Sequence, residues 1–193
     1  MNQEKTKHRV LITGHTRGIG KAIHDRLTQD GYFCEGVSIS TGHDVTKHED
    51  AIVEEIKGFD HVVLNAYAGK SQLTMLQKIV NRYTDHLKKV VVITSTSGTP
   101  EGADDSIQDE EYTQYKRNKK ELIEYIGTTQ QHLVDKRLSI FDVCPDTVRT
   151  DMTKGLWEEW PKLEAAQVAD AVSLIFLTQS YNINKIVIQK NVY

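Results

Sequence analysis

Three runs of this chain, "HVVLNA" (61–66), "KVVVITS" (89–95) and "LSIFDVC" (138–144), are apolar without alternation. A strand with one wet face alternates apolar and polar residues, whereas a strand covered on both faces reads as a continuous apolar run. Between the runs lie segments with apolar residues at helical spacing, such as Ile52, Val53 and Ile56 ahead of Gly58. Buried strands alternating with amphipathic helices specify an α/β fold, a doubly wound parallel sheet flanked by helices. The pattern predicts strands at 9–13, 32–38, 61–66, 89–95, 138–144 and 184–190. It predicts helices at 19–30, 46–58, 71–88, 113–133 and 164–180. At 193 residues the chain is expected to form one domain, 1–193.

Composition narrows the partners. A net charge of -3 with 26% charged residues gives no reason to expect nucleic acid or an anionic membrane. No apolar run is long enough to span a bilayer, and the start "MNQEKTKHRV" is polar, so no signal peptide is expected. Cys34 and Cys144 sit in apolar runs and are expected as buried thiols of a cytoplasmic protein, not as a disulfide. No metal site is expected.

The first strand runs into "TGHTRGIG", with three glycines in eight residues before a helix. Bare backbone at a strand end allows a tight turn and close approach of a phosphate. The helix N-terminus that follows offers free N–H groups and a positive dipole end. The spacing Gly14-x3-Gly18-x-Gly20 differs from the common G-x-G-x-x-G dinucleotide fingerprint.

In that spacing the loop resembles the TGxxxGxG segment of the short-chain dehydrogenases/reductases, and the resemblance continues in order along nearly the whole chain. "DVT" (Asp44, Val45, Thr46) is similar to the segment that holds the adenine. "LNAYAG" resembles NNAG, with Leu64 and Tyr67 departing from it, so Asn65 and Ala66 carry over. "VITSTSG" resembles the strand with the catalytic serine, a YxxxK pattern follows, and "CPDTVRT" resembles PGxVxT with Asp146 in place of glycine. The resemblance implies a Rossmann-like domain of abbreviated type. Only "ISTGH" separates the second strand from "DVT", so the crossover helix the family places there between strands 2 and 3 is expected to be missing.

The implied chemistry is hydride transfer between a nicotinamide and a small carbonyl or alcohol substrate. Such a reaction needs a proton donor or acceptor beside the substrate oxygen. A tyrosine, with a reference pKa of about 10, is a poor base near neutrality. A lysine one helical turn on shares its face and favours the phenolate. Lowering that pKa by about 3 units takes roughly 4 kcal/mol, so an oxidised nicotinamide's positive charge would have to contribute. The pattern occurs twice, as Tyr112 with Lys116 and as Tyr115 with Lys119. Tyr115, Lys119, Leu122, Ile126 and Leu133 share one helical stripe, which favours the second pair, while Tyr112 precedes the best helical pattern. Tyr112 would, however, shorten the unusual distance to the serine. By the family match Ser95 is the catalytic serine, holding the substrate oxygen, with Ser97 as competitor. Asn81 is the candidate for the family's catalytic asparagine, at an awkwardly short separation from Ser95.

For the cofactor the resemblance implies contacts from Gly14, Thr16, Arg17, Gly18, Ile19, Gly20, Ser38, Asp44, Val45, Asn65, Ala66, Tyr115, Lys119, Pro145, Val148 and Thr150. Arg17 suits a phosphate, and the second strand ends in Ser38, Ser40 and Thr41 without the acidic residue that binds a free 2′-hydroxyl. NADP(H) is therefore favoured over NAD(H). The substrate pocket is expected between the acidic stretch 97–111 and the short segment 150–164 with Trp157 and Trp160. The charged outer faces of helices 71–88 and 113–133 suggest a monomer or homodimer. The alternative to an enzyme is a dinucleotide-binding regulator that has lost turnover.

Overall fold

A computed structural model describes residues 8–102, 107, 109–178 and 183–190. Its strands are β1 (Arg9–Thr13), β2 (Phe33–Val37), β3 (His61–Leu64), β4 (Lys89–Ile93), β5 (Ser139–Pro145) and β6 (Lys185–Ile188). Its helices are α1 (Gly18–Gln29), α2 (Glu49–Glu55), α3 (Ser71–Tyr83), α4 (Glu110–His132) and α5 (Ala165–Leu177). All six strands pair in parallel in the order β2-β1-β3-β4-β5-β6. Among the described residues no helix is long and apolar enough to cross a membrane.

The unbroken apolar runs have their reason in this sheet. Along β4, Val90 and Val92 join a core beneath α2, α3 and α4, while Val91 and Ile93 join a second core beneath α1 and α5. From Val90 to Ile93 every position is buried on one side or the other, so no polar alternation survives. The expected stripe on α4 also holds, with Lys119, Leu122 and Ile126 buried and Leu133 closing the helix.

The element ends move for local reasons. The predicted helix 71–88 stops at Tyr83, because the chain must turn at once into β4. In that turn the N–H of Leu87 bonds to the Tyr83 carbonyl, and its side chain is fully buried. In the other direction α4 starts three residues early, because the Asp109 carboxylate caps the Tyr112 N–H at 2.7 Å. Tyr112 therefore lies within the helix, not before it. Cys34 is half-buried and Cys144 buried, both as free thiols.

Between β2 and Asp44 there is only a single 3₁₀ turn, Ile39–Thr41, so the crossover helix expected to be missing there is missing. The one helix between β2 and β3 is α2, which follows Asp44. In the usual doubly wound order a further strand lies outside the one that pairs with β1. Here β2 is the sheet edge.

His61 opens β3 at 5% exposure, packed edge-on against His8, Tyr32 and Phe176. Its Nδ1 has no hydrogen-bond partner. Burial pushes its pKa from 6.5 down to about 3. The unfolded chain thus takes up a proton here at higher pH than the folded one. The stability contributed by neutral His61 is full above about 6.5 and is lost as pH falls toward about 3. His61→Phe keeps the ring packing and removes an unsatisfied nitrogen. We expect it to be at least as stable as wild type near neutral pH and to lose less stability on acidification. Denaturant unfolding of both proteins at neutral and mildly acidic pH checks this; parallel losses would clear His61 of the effect.

Candidate active site

The chain leaves β1 toward β2 on one side and returns to β3 on the other. In open α/β sheets the crevice at such a reversal, outside the carboxyl ends of the strands, is where ligands bind. The loops that resemble the family's motifs follow the carboxyl ends of β1 to β5.

The glycine loop is pinned from below. Thr13 Oγ1 accepts the backbone N–H groups of Asn65 (2.9 Å) and Ala66 (3.0 Å), and Asn65 Nδ2 donates to the carbonyls of Thr13 (3.1 Å) and Gly14 (3.3 Å). Asn65 and Ala66 therefore brace the loop. A methyl group on Gly20 would collide with the Gly14 carbonyl and the Asn65 amide, so only glycine lets α1 begin this close to the end of β1. Ile19 turns its side chain into the α1–α5 core. Across the loop, Thr150 approaches Gly18, and the two border an open cleft of about 520 Å³ together with Arg149, Asp151, Thr153, Lys154, Glu158 and Lys162. Pro145 ends β5, and Val148 is buried and bridges to Leu163.

At the far end of the loop, Thr16 accepts a hydrogen bond from Ser40 at 3.2 Å. Ser38 is buried and its hydroxyl is shared with Ser40 (2.9 Å) and Thr41 (3.3 Å). Of the three hydroxyl residues that sequence placed here, Ser38 is thus turned inward, while Ser40 and Thr41 are exposed. Arg17 is exposed at the N-cap of α1 and has no ion-pair partner among the described residues. Val45 is buried in the core, and the Asp44 carboxylate accepts from Thr46 N (2.9 Å) and Oγ1 (2.7 Å), which holds its pKa low.

The structure brings Ser95, Tyr115 and Lys119 together. Thr94 turns its hydroxyl inward to the Asp142 carboxylate, which leaves Ser95 facing the site with Oγ accepting Ser97 N at 3.2 Å. A Cβ on Gly98 would lie 2.7 Å from the Lys119 carbonyl carbon, so this bare residue seats α4 directly against the end of β4. Tyr115 is half-buried. Burial pushes its hydroxyl up to about 12, against the opposing pull of a hydrogen bond with Ser95. Lys119 Nζ bonds to Gln72 Oε1 (2.7 Å) and the Ile93 carbonyl (2.9 Å), and stands 5.6 Å from the Tyr115 ring centroid. Burial brings its pKa down to about 7.

The second register forms a parallel set one step outward. Tyr112 donates to Ser97 Oγ at 3.4 Å and carries Lys116 over its ring at 5.3 Å. Trp157, whose backbone has φ 47°, meets Tyr112 edge-on at 5.7 Å. A positive φ in a bulky residue is uncommon. Tyr67, where the family has glycine, packs edge-on against Tyr115 at 4.9 Å, and its hydroxyl accepts from Asn118 at 3.2 Å.

Asn81 lies elsewhere, exposed on the last turn of α3. Gln72, at the start of the same helix and 3% exposed, is the amide that reaches Lys119. Its signal in the sequence is its place on the apolar stripe with Met75, Leu76 and Ile79. Of the acidic stretch, Asp104 and Asp105 lie outside the described residues, and Asp109, Glu110 and Glu111 serve the N-terminus of α4.

No protein-family model and no curated protein matches the chain. Solved structures do. A short-chain dehydrogenase from Burkholderia cenocepacia in complex with NADP aligns at TM-score 0.74 and 14% identity, over 95% of this chain and 88% of that one. An alcohol dehydrogenase from the archaeon Thermococcus sibiricus, complexed with 5-hydroxy-NADP, aligns at 0.72 and 21%, over 97% and 100%. A 3-ketoacyl-(acyl-carrier-protein) reductase from Brucella melitensis complexed with NADH aligns at 0.74 and 14%, over 94% and 95%. Identities this low carry the fold and not the activity: the chain has the short-chain dehydrogenase/reductase fold.

Proposed function

We propose that the protein is an NADP(H)-dependent oxidoreductase acting on a small carbonyl or alcohol. The observation that carries this reading is the convergence of Ser95, Tyr115 and Lys119 at the carboxyl end of β4. The similarity in fold to dehydrogenases and reductases bound to NADP or NADH supports it.

A dinucleotide fits the residues present. The N-terminus of α1 opens from bare backbone at Gly18 and Gly20, Thr150 faces it across the cleft, and Lys154 and Lys162 line the same opening. At the adenosine end, Arg17 and the hydroxyls of Thr16 and Ser40 would take a 2′-phosphate, and no carboxylate ends β2. When bound, the nicotinamide supplies or accepts the hydride.

The chain's own residues handle the proton. Ser95 Oγ holds the substrate oxygen by a hydrogen bond. Tyr115, kept protonated by burial, gives its proton to that oxygen as the alcohol forms. The Lys119 ammonium, one turn on, stabilises the phenolate left behind. Tyr67, Tyr112 and Trp157 wall the mouth with aromatic rings. Tyr67 is also the feature that favours the second reading, a binding protein without turnover, since its ring stands against both Tyr115 and Lys119.

A panel of carbonyl compounds assayed with NADPH and NADH, beside binding of both cofactors, tests the function; binding without reduction of any carbonyl would favour the regulator. Within an active protein, Tyr115→Phe is expected to lower kcat by at least about a hundredfold, the scale of general acid catalysis, with cofactor affinity kept. Tyr112→Phe is expected to be mild. The reverse pattern would move the reaction to the outer register.

NADPH is expected to bind at least about tenfold more tightly than NADH, about 1.4 kcal/mol. An exposed ion pair is screened by salt, so the preference should shrink at high ionic strength and in Arg17→Ala. Titrations of both cofactors at low and high salt check it. An Arg17→Ala protein that keeps the full preference would take Arg17 out of the role.

A further inference from the structure

Gln72 has an amide with no freedom left. Its Nε2 donates one hydrogen to the Leu64 carbonyl at the end of β3 (2.9 Å) and the other to the Ile93 carbonyl at the end of β4 (3.0 Å). Turned over, the amide would set its oxygen against two carbonyl oxygens and its NH₂ against an ammonium. The orientation is therefore determined by chemistry, and Oε1 must face Lys119 Nζ, 2.7 Å away. The Ile93 carbonyl accepts from both partners. Two of the three ammonium hydrogens of Lys119 are thus taken by neutral oxygens, and one remains for the site.

The surroundings give those two oxygens their weight. Lys119 is 3% exposed. The groups facing it are the rings of Tyr115 from α4 and Tyr67 from the loop after β3, and Asp142 and Cys144 from β5. No carboxylate forms an ion pair with Nζ among the described residues, since Asp142 is engaged by Thr94 and Lys185. An ammonium buried without partners reverts to the amine. Carbonyl and amide oxygens solvate it without neutralising it, and so oppose the downward pull of burial on its charge.

We propose that Gln72 is a positioning residue, whose side-chain amide, locked by the ends of β3 and β4, holds the Lys119 ammonium against Tyr115 in its charged form. This rests on the reading of Tyr115 and Lys119 as the acid–base pair. Asn81, which the family resemblance put forward for a neighbouring role, is on the far turn of α3 and exposed.

Two substitutions move Lys119 in opposite directions. Gln72→Met fills the same space with no acceptor, and is expected to lower the Lys119 pKa by one unit or more. Gln72→Glu sets a carboxylate beside Nζ and is expected to raise it. NMR titration of isotope-labelled lysine in the cofactor-free protein, with Lys119→Met for assignment, reads this without any turnover. Opposite shifts support the proposal; an unchanged pKa in Gln72→Met, or shifts of one sign in both variants, overturns it. If Gln72→Met does not fold, Gln72→Glu decides alone: a raised pKa supports, an unmoved or lowered one overturns. Carbonyl reduction with NADPH is the second readout. The alkaline limb of the kcat profile should move down in Gln72→Met by the same interval, and a loss equal at every pH would mark a structural role only. A wild type silent on every carbonyl would sink the oxidoreductase reading while the titration still decides Gln72.

Discussion

The candidate site depends on how closely α4 can approach the end of β4. Gly98 sets that distance, since any side chain there would meet the backbone of Lys119. With the helix seated, the Lys119 side chain passes under Tyr115 and reaches the Ile93 carbonyl, the last of β4. The same seating brings Tyr115 to Ser95, which the turn Thr96–Gly98 presents. A helix about one methyl group further out would leave Lys119 short of both its oxygens.

The fold was legible because burial on two faces leaves a mark in every strand. Strands β1, β3, β4 and β5 read as apolar runs since their central residues join one or the other of two cores. The inner tyrosine was legible for a related reason: a lysine on a stripe with Leu122 and Ile126 must be buried, and a buried lysine has a task. The ends of helices were not, because they turn on single caps such as Asp109, whose bond to Tyr112 N brings a residue inside that periodicity alone leaves out. Gln72 escaped notice since its partners are two backbone carbonyls and a lysine 47 positions away. Nothing local distinguishes such an amide from an exposed one except the stripe it shares. Asn81 shows the converse, a residue of the right type on the wrong face of the same helix.

The shortened crossover has a consequence at the other end of the cleft. With no further strand, β2 is the edge, and the chain turns immediately through Ser38–Thr41 to Asp44. The turn is held by its own hydroxyls, Ser38 to Ser40 and Thr41, and tied to the glycine loop by Ser40 and Thr16. A compact knot of hydroxyls thus replaces what a longer chain builds with a helix. It presents donors and acceptors of no net charge, so Arg17 is the group there that can favour an added negative charge.

One cause, burial, acts on Tyr115 and Lys119 with opposite signs of charge. It raises the tyrosine to about 12 and lowers the lysine to about 7, so both are moved toward their neutral forms. On the proposed reading this resting state suits one direction of the reaction. A protonated tyrosine is ready to donate to a carbonyl oxygen, and it needs the lysine's charge only as the phenolate appears. Running the other way would require the phenolate at the outset, beside a lysine that is itself half neutral near pH 7. An oxidised nicotinamide brings a positive charge that favours the phenolate, but the same charge pushes Lys119 further toward the amine. The two effects oppose each other across one small site. On that reading, the oxygens of Gln72 and Ile93 are what keeps the ammonium available to the phenolate.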